Sequence, residues 1–85
     1  MSEHHASRAF WAAYDQLPSA QRQPADKCFA LLKHNPQHLS LRLKPVGQYR
    51  SVRVGLDYGA LARQVKDGYL WFWIGTHAEY DRLVR

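Results

Sequence analysis

Residues 60–76 read ALARQVKDGYLWFWIGT, and the fold turns on this stretch. Asp67-Gly68 is a hairpin signal of the primed type, because such turns need backbone angles that Asp and Gly tolerate. Tyr69 to Thr76 behind it is rich in aromatic residues and apolar on both faces, as a central strand is. Ala60 to Val65 ahead of it reads as the antiparallel partner. Upstream, Val52, Val54 and Leu56 alternate with Ser51 and Arg53 in another strand, and Asp57 to Gly59 makes a tight connection. Farther upstream, Leu39, Leu41 and Leu43 alternate with Ser40, Arg42 and Lys44, and Pro45-Val46-Gly47 turns the chain. The sheet so read has four antiparallel strands.

Before His38 the apolar period lengthens from 2 to 3.6. Phe10, Trp11, Tyr14 and Leu17 recur at helical spacing behind Ser7, a suitable N-cap, and Pro18 stops that helix. Ser19 can cap a second helix to about His34, with Ala25, Cys28, Phe29 and Leu32 as its buried stripe. Pro24 lies beyond its first turn, where it is expected to kink the helix or delay its start. Asn35-Pro36 ends it. After the last strand, His77 to Val84 reads as a short helix or tail, and residues 1–6 as an unordered tail. The fold class is α+β: a two-helix hairpin packed on one face of a twisted antiparallel four-stranded sheet.

Eighty-five residues make one small domain, 1–85, which buries about 60–65% of the surface its unfolded chain exposes. Cys28 is the only cysteine, so an intrachain disulfide and a cysteine-based zinc cluster are excluded. No apolar run approaches the roughly 18–20 residues of a membrane span. The first ten residues, with Ser2, Glu3, His4 and His5, lack the apolar core of a secretory signal. A free thiol without an export signal points to a reducing compartment, the cytoplasm of a bacterial-type cell. Adjacent His4 and His5 do not form a helical metal pair, and Pro36 breaks the helix between His34 and His38, so no metal or other cofactor is expected. No glycine-rich phosphate loop, nucleophile elbow or catalytic carboxylate pair occurs.

The net charge is +5, and it is concentrated. Between Ser40 and Lys66 stand Arg42, Lys44, Arg50, Arg53, Arg63 and Lys66 against a single acid, Asp57. Arginine outnumbers lysine eight to four, which favours bidentate phosphate contacts. Alternation sends Leu41, Leu43, Val52, Val54, Leu70, Phe72 and Ile74 toward Phe10, Tyr14, Phe29 and Leu32. The open face then carries Arg42, Lys44, Ser51, Arg53, Leu61, Arg63, Trp71 and Trp73. Guanidinium groups holding phosphates beside indoles that stack on bases suit single-stranded RNA. Equally, the stripe is a solvated basic face, and Trp71 and Trp73 fill a second small core or a protein interface.

The runs Leu41-Arg42-Leu43-Lys44-Pro45-Val46, Tyr49-Arg50-Ser51-Val52-Arg53-Val54-Gly55 and Tyr58-Gly59-Ala60-Leu61-Ala62 resemble the RelE/ParE-like toxins of type II toxin–antitoxin systems. The block Trp71-Phe72-Trp73-Ile74-Gly75-Thr76-His77-Ala78-Glu79-Tyr80-Asp81 is similar to the C-terminal block of a short RelE-like branch. With Asn35-Pro36-Gln37-His38 after the helices, the resemblance covers roughly Phe10 to Val84. It implies a helical hairpin on a twisted sheet, and a basic toxin neutralised by an acidic antitoxin that folds on it, adding a helix or strand over the basic face. RelE-like members cut mRNA in the ribosomal A site, whereas ParE-like members inhibit DNA gyrase; fold alone does not choose between them. A silent module that only binds antitoxin or RNA is the third alternative. No membrane partner is implied.

Metal-free RNA cleavage needs a base for the ribose 2′-hydroxyl, cations for the phosphorane and an acid for the leaving 5′-oxygen. The resemblance places His77 at the family's C-terminal catalytic position and Arg53 at a phosphate-binding one. Ser51 stands where some relatives carry lysine. Tyr80 stacks on a base or packs the tail onto the sheet, and Glu79 is a base or a solvated carboxylate. Relatives in the branch carry arginine at Gly59, a main phosphate contact, so this chain is expected to be a weakened toxin. Arg63 is expected to compensate in part, with Tyr58 assisting.

Overall fold

The computed structural model describes residues 3–35 and 37–84. Met1 and Ser2 of the expected unordered tail, and Pro36, the expected helix stop, lie outside the described residues. Strand β1 spans Glu3–Ala6, helix α1 Arg8–Asp15 and helix α2 Ser19–His34. A 3₁₀ turn at Leu39–Leu41 leads to β2 (Lys44–Val46), β3 (Tyr49–Val54), β4 (Tyr58–Val65), β5 (Gly68–Thr76) and α3 (His77–Val84). The sheet runs β1-β5-β4-β3-β2, antiparallel except where β1 lies parallel to β5. Three helices and five strands thus replace the expected two-helix hairpin on four strands. No described helix is long and apolar enough to cross a membrane.

The fifth strand comes from the expected tail. Trp71 Nε1 donates to His4 Nδ1 at 2.9 Å, and His4 is buried with its ring stacked beside Tyr69 and Trp71. Polar composition hid this strand, because its pairing partner is 65 residues away at Gly68 (Glu3↔Gly68). A Cβ at Gly68 would collide with the Glu3 backbone, so the glycine is needed for this close approach. The adjoining hairpin turns through Lys66 and Asp67, with Val65 opposite Gly68, and neither turn residue has a positive φ. The Asp67-Gly68 signal therefore marks the strand–strand contact rather than a primed turn.

Both early helices form where expected. Ser7 Oγ accepts from Phe10 N at 3.2 Å and caps α1. Pro18, not Ser19, is the N-cap of α2, and it supplies no side-chain bond. The helix continues through Pro24, which is half-buried beside Gly55. Phe10, Leu32, Val52, Val54, Ala60, Trp71 and Ile74 form one buried cluster between these helices and the sheet.

Two local departures reshape the other side. The Leu39–Leu43 segment is not a strand, and Pro45 and Val46, expected in a turn, belong to β2 instead: Leu41 alone is fully buried, Leu39 is 89% exposed, and Arg42 adopts φ +48° before β2 begins. A left-handed non-glycine backbone costs about 1–2 kcal/mol, so tertiary contacts hold it. In β5, Leu61 pairs with Trp73 and Ala62 with Trp71, leaving Phe72 as an unpaired bulge residue. That extra residue switches the parity. Trp71 and Ile74 both enter the helix-side core, whereas Phe72 meets Tyr49 at 5.3 Å between ring centroids. Trp71 was expected on the open face and Phe72 in the core, and the bulge exchanges them.

Candidate functional site

The face opposite α1 and α2 is built by alternation. Ser51 and Arg53 on β3 project there, paired with Leu61 and Gly59 on β4. Gly59, expected in a turn, is a buried strand residue between Arg53 and Gly75. Helix α3 folds back over this point. Tyr80 is 9% exposed and packs above Gly59, where a Cβ would lie 3.6 Å from Tyr80 Cδ2 and 3.4 Å from the Val52 carbonyl. Both are ordinary contacts, so the strand admits a Cβ at this position.

The start of α3 is fixed by a reciprocal cap. Thr76 N and Oγ1 donate to Glu79 Oε1 at 3.0 and 2.9 Å, and Glu79 N donates to Thr76 Oγ1 at 3.2 Å. The Thr76 amide, followed by its hydroxyl, holds the Glu79 carboxyl below the usual range. A Cβ at Gly75 would strike the Trp73 ring, so strand, indole and cap interlock. Glu79 is thus committed to the cap. The Thr-x-x-Glu spacing was visible in the sequence, but its role was missed. His77 N donates to the Asp57 carbonyl at 2.9 Å, and the exposed imidazole meets Tyr80 edge-on at 5.7 Å.

Around these groups lies a cavity of about 280 Å³. Arg42, Lys44 and Arg53 provide its cations, Ser51 a hydroxyl, Gly59 the floor, and His77 and Tyr80 the rim. Arg53 Nε donates to the Gly55 carbonyl at 3.2 Å, which orients the guanidinium. Among the described residues no carboxylate forms an ion pair with these cations. The cavity can hold an anion of phosphodiester size against several donors, next to an imidazole that can exchange a proton.

Four expected site residues stand elsewhere. Trp71 is 1% exposed in the opposite core and has no free face for stacking. Trp73 is half-buried over Gly75, outside the cavity lining. Arg63 is on the same face but four strand positions from Gly59, roughly 13 Å along β4. That distance removes the expected compensation for Gly59. Tyr58 sits at the end of β4, packed against the helix-side core. Among the described residues one group has metal-ligand spacing: exposed Glu3, His5 and Asp67, at the β1 edge of the sheet and outside this cavity.

No protein-family model matches the chain, and no curated protein matches its sequence. Solved structures match almost its whole length. YafQ from E. coli strain BL21(DE3) superposes with a TM-score of 0.73 at 16% identity, covering 94% of this chain and 98% of that one. The E. coli DinJ–YafQ toxin–antitoxin complex gives 0.71 at 15%, covering 92% and 94%. The RelB–RelE antitoxin–toxin complex from Methanococcus jannaschii gives 0.67 at 17%, covering 95% and 99%. The structural neighbours are YafQ and RelE toxins of toxin–antitoxin systems, and the fold is theirs.

Proposed function

We propose that this chain is the toxin of a type II toxin–antitoxin system, a metal-independent endoribonuclease that cuts mRNA on the ribosome in the cytoplasm. An acidic antitoxin is its inhibitory partner. One observation carries the reading: the tertiary fold gathers Arg42, Lys44, Arg53, His77 and Tyr80 around one cavity, although they are spread over 39 positions of sequence. Arg42, Lys44 and Arg53 hold the scissile phosphate and offset the charge of the phosphorane. The 2′-oxygen attacks phosphorus as its proton passes to solvent. His77 donates a proton to the departing 5′-oxygen, leaving a 2′,3′-cyclic phosphate and a 5′-hydroxyl. Tyr80 packs against His77 and gives the neighbouring base a ring edge.

Gly59 weakens this machinery, because the cavity floor lacks the cation that the resembling branch carries there. Incubation with programmed ribosomes, followed by mapping of mRNA ends, tests the reading. Slow cleavage is expected from the chain, faster cleavage from Gly59→Arg and none from His77→Ala. If neither the chain nor Gly59→Arg cuts, the nuclease reading fails. Gyrase inhibition that survives His77→Ala would establish the ParE-like alternative instead.

A further inference from the structure

Strand β1 separates two adjacent histidines. Alternation sends neighbours to opposite sides of a strand, so His4 enters the sheet and bonds Trp71, while Glu3 and His5 share the outward side. Beside them, backbone contacts hold Asp67 in the β4–β5 turn. Its carbonyl accepts from Glu3 N at 3.1 Å, and Glu3 pairs with Gly68, where no Cβ fits. Donor groups from positions 3, 5 and 67 therefore meet at one corner of the sheet, outside the candidate nuclease cavity.

His5 Nε2 lies 3.5 Å from Glu3 Oε2 and 3.7 Å from Asp67 Oδ2, and the three ligand atoms are all within 4.8 Å of one another. Charge-assisted N–H···O bonds are shorter, about 2.7–2.9 Å. The two spacings lie closer to the edges of a metal tetrahedron, since ligands about 2.0–2.2 Å from zinc stand roughly 3.3–3.6 Å apart. Two carboxylates face one imidazole, so this corner carries an excess of negative charge on a chain of net charge +5. Among the described residues neither carboxylate pairs with a lysine or an arginine.

We propose that Glu3, His5 and Asp67 bind one divalent transition-metal ion of the zinc class, which ties β1 to the β4–β5 turn. One imidazole nitrogen with two carboxylate oxygens suits Zn²⁺, whereas Mg²⁺ and Ca²⁺ favour oxygen ligands alone. All three side chains are exposed, so a rotamer change is enough to close them on the ion. The competing arrangement is a protonated His5 between the two carboxylates, and screened surface pairs of that kind contribute little. Asp67 is 62 positions from His5 in sequence, so the unfolded chain does not assemble the donor set, and the ion stabilises the folded state by linkage. The ion lies outside the nuclease cavity and takes no part in the proposed cleavage, so the site stands whether or not the chain cuts RNA.

The test uses the full chain without a polyhistidine tag, stripped of metal by a chelator and titrated with zinc chloride in a calorimeter. One Zn²⁺ per chain is expected, and free Zn²⁺ at about ten times Kd is expected to raise Tm by about 5–10 °C. Mg²⁺ at the same concentration is expected to leave Tm unchanged. His5→Ala and Asp67→Asn are each expected to weaken Zn²⁺ binding at least about tenfold and to abolish the rise in Tm. Both residues are exposed, so the fold tolerates the changes, and the far-ultraviolet circular dichroism of the metal-free variants checks this. A His34→Ala, His38→Ala double variant controls for zinc at other histidines and is expected to bind like the parent chain. Absence of saturable Zn²⁺ binding, an equal response to Mg²⁺, or unchanged binding by His5→Ala overturns the inference. Loss of binding in the double variant with His5→Ala unaffected puts the ion at His34 and His38, and equally overturns it.

Discussion

On the helix-covered face of the sheet, Val52, Ala60, Trp71 and Ile74 lie in a closed apolar cluster under α1 and α2. The opposite face carries Ser51, Arg53 and Gly59 under α3 alone, with a cavity left between them. β3 and β4 supply both, one residue out of step. The covered face gains stability from burial, whereas the other keeps a cavity open beside cations that form no ion pair among the described residues, features that add little stability. Substitutions on the two faces should therefore separate stability from activity.

The largest expected effect is on the covered face. Trp71→Ala should remove about 3–5 kcal/mol of unfolding free energy, read by urea denaturation, with cleavage per folded molecule unchanged. Loss of cleavage at unchanged stability would break the contrast. On the open face, Gly59→Arg should raise ribosome-dependent cleavage about 10²–10³-fold, with little change in the denaturation midpoint. An equal or lower rate would show that the missing cation is not what limits this chain.

Smaller effects sharpen the boundary between the faces. Glu79→Ala should cost about 1 kcal/mol through the lost cap, and should lower cleavage because His77 loses its anchored helix start. Glu79→Gln, which keeps an acceptor for Thr76, should recover most of both. The smallest effect belongs to His4. Burial, reinforced by His5, lowers its pKa, so the folded chain resists a proton that the unfolded chain accepts. Above about pH 6.5 His4 is neutral in both states and contributes no slope; below it, stability should fall as pH falls. His4→Phe should flatten the denaturation midpoint between pH 6.5 and 5. An unchanged slope would mean that the Trp71–His4 bond is not the acid-sensitive element.

Much of the site was legible because its residues sit at element ends or alternate in ordinary strands. Ser51 and Arg53 share a face by simple period 2, and His77 follows an aromatic strand that ends in Gly75-Thr76. Trp71 was misplaced because one bulged residue reverses alternation, and nothing in Trp71-Phe72-Trp73 marks which residue bulges. Leu39, Leu41 and Leu43 imitate a strand, but Leu41 is buried and Leu43 packs at the core's edge while Leu39 stays exposed. His4 was invisible as a structural residue because its hydrogen-bond partner is Trp71, 67 positions away.

Caps, prolines and apolar periods act over a few residues, so α1, α2 and the β3–β5 meander follow from local sequence, which left α3 open between helix and tail. Tertiary structure decided the fifth strand, the side on which Trp71 lies and the left-handed backbone of Arg42. Each depends on which distant backbone or ring satisfies a hydrogen bond or fills a space, and short-range periodicity carries no record of that choice.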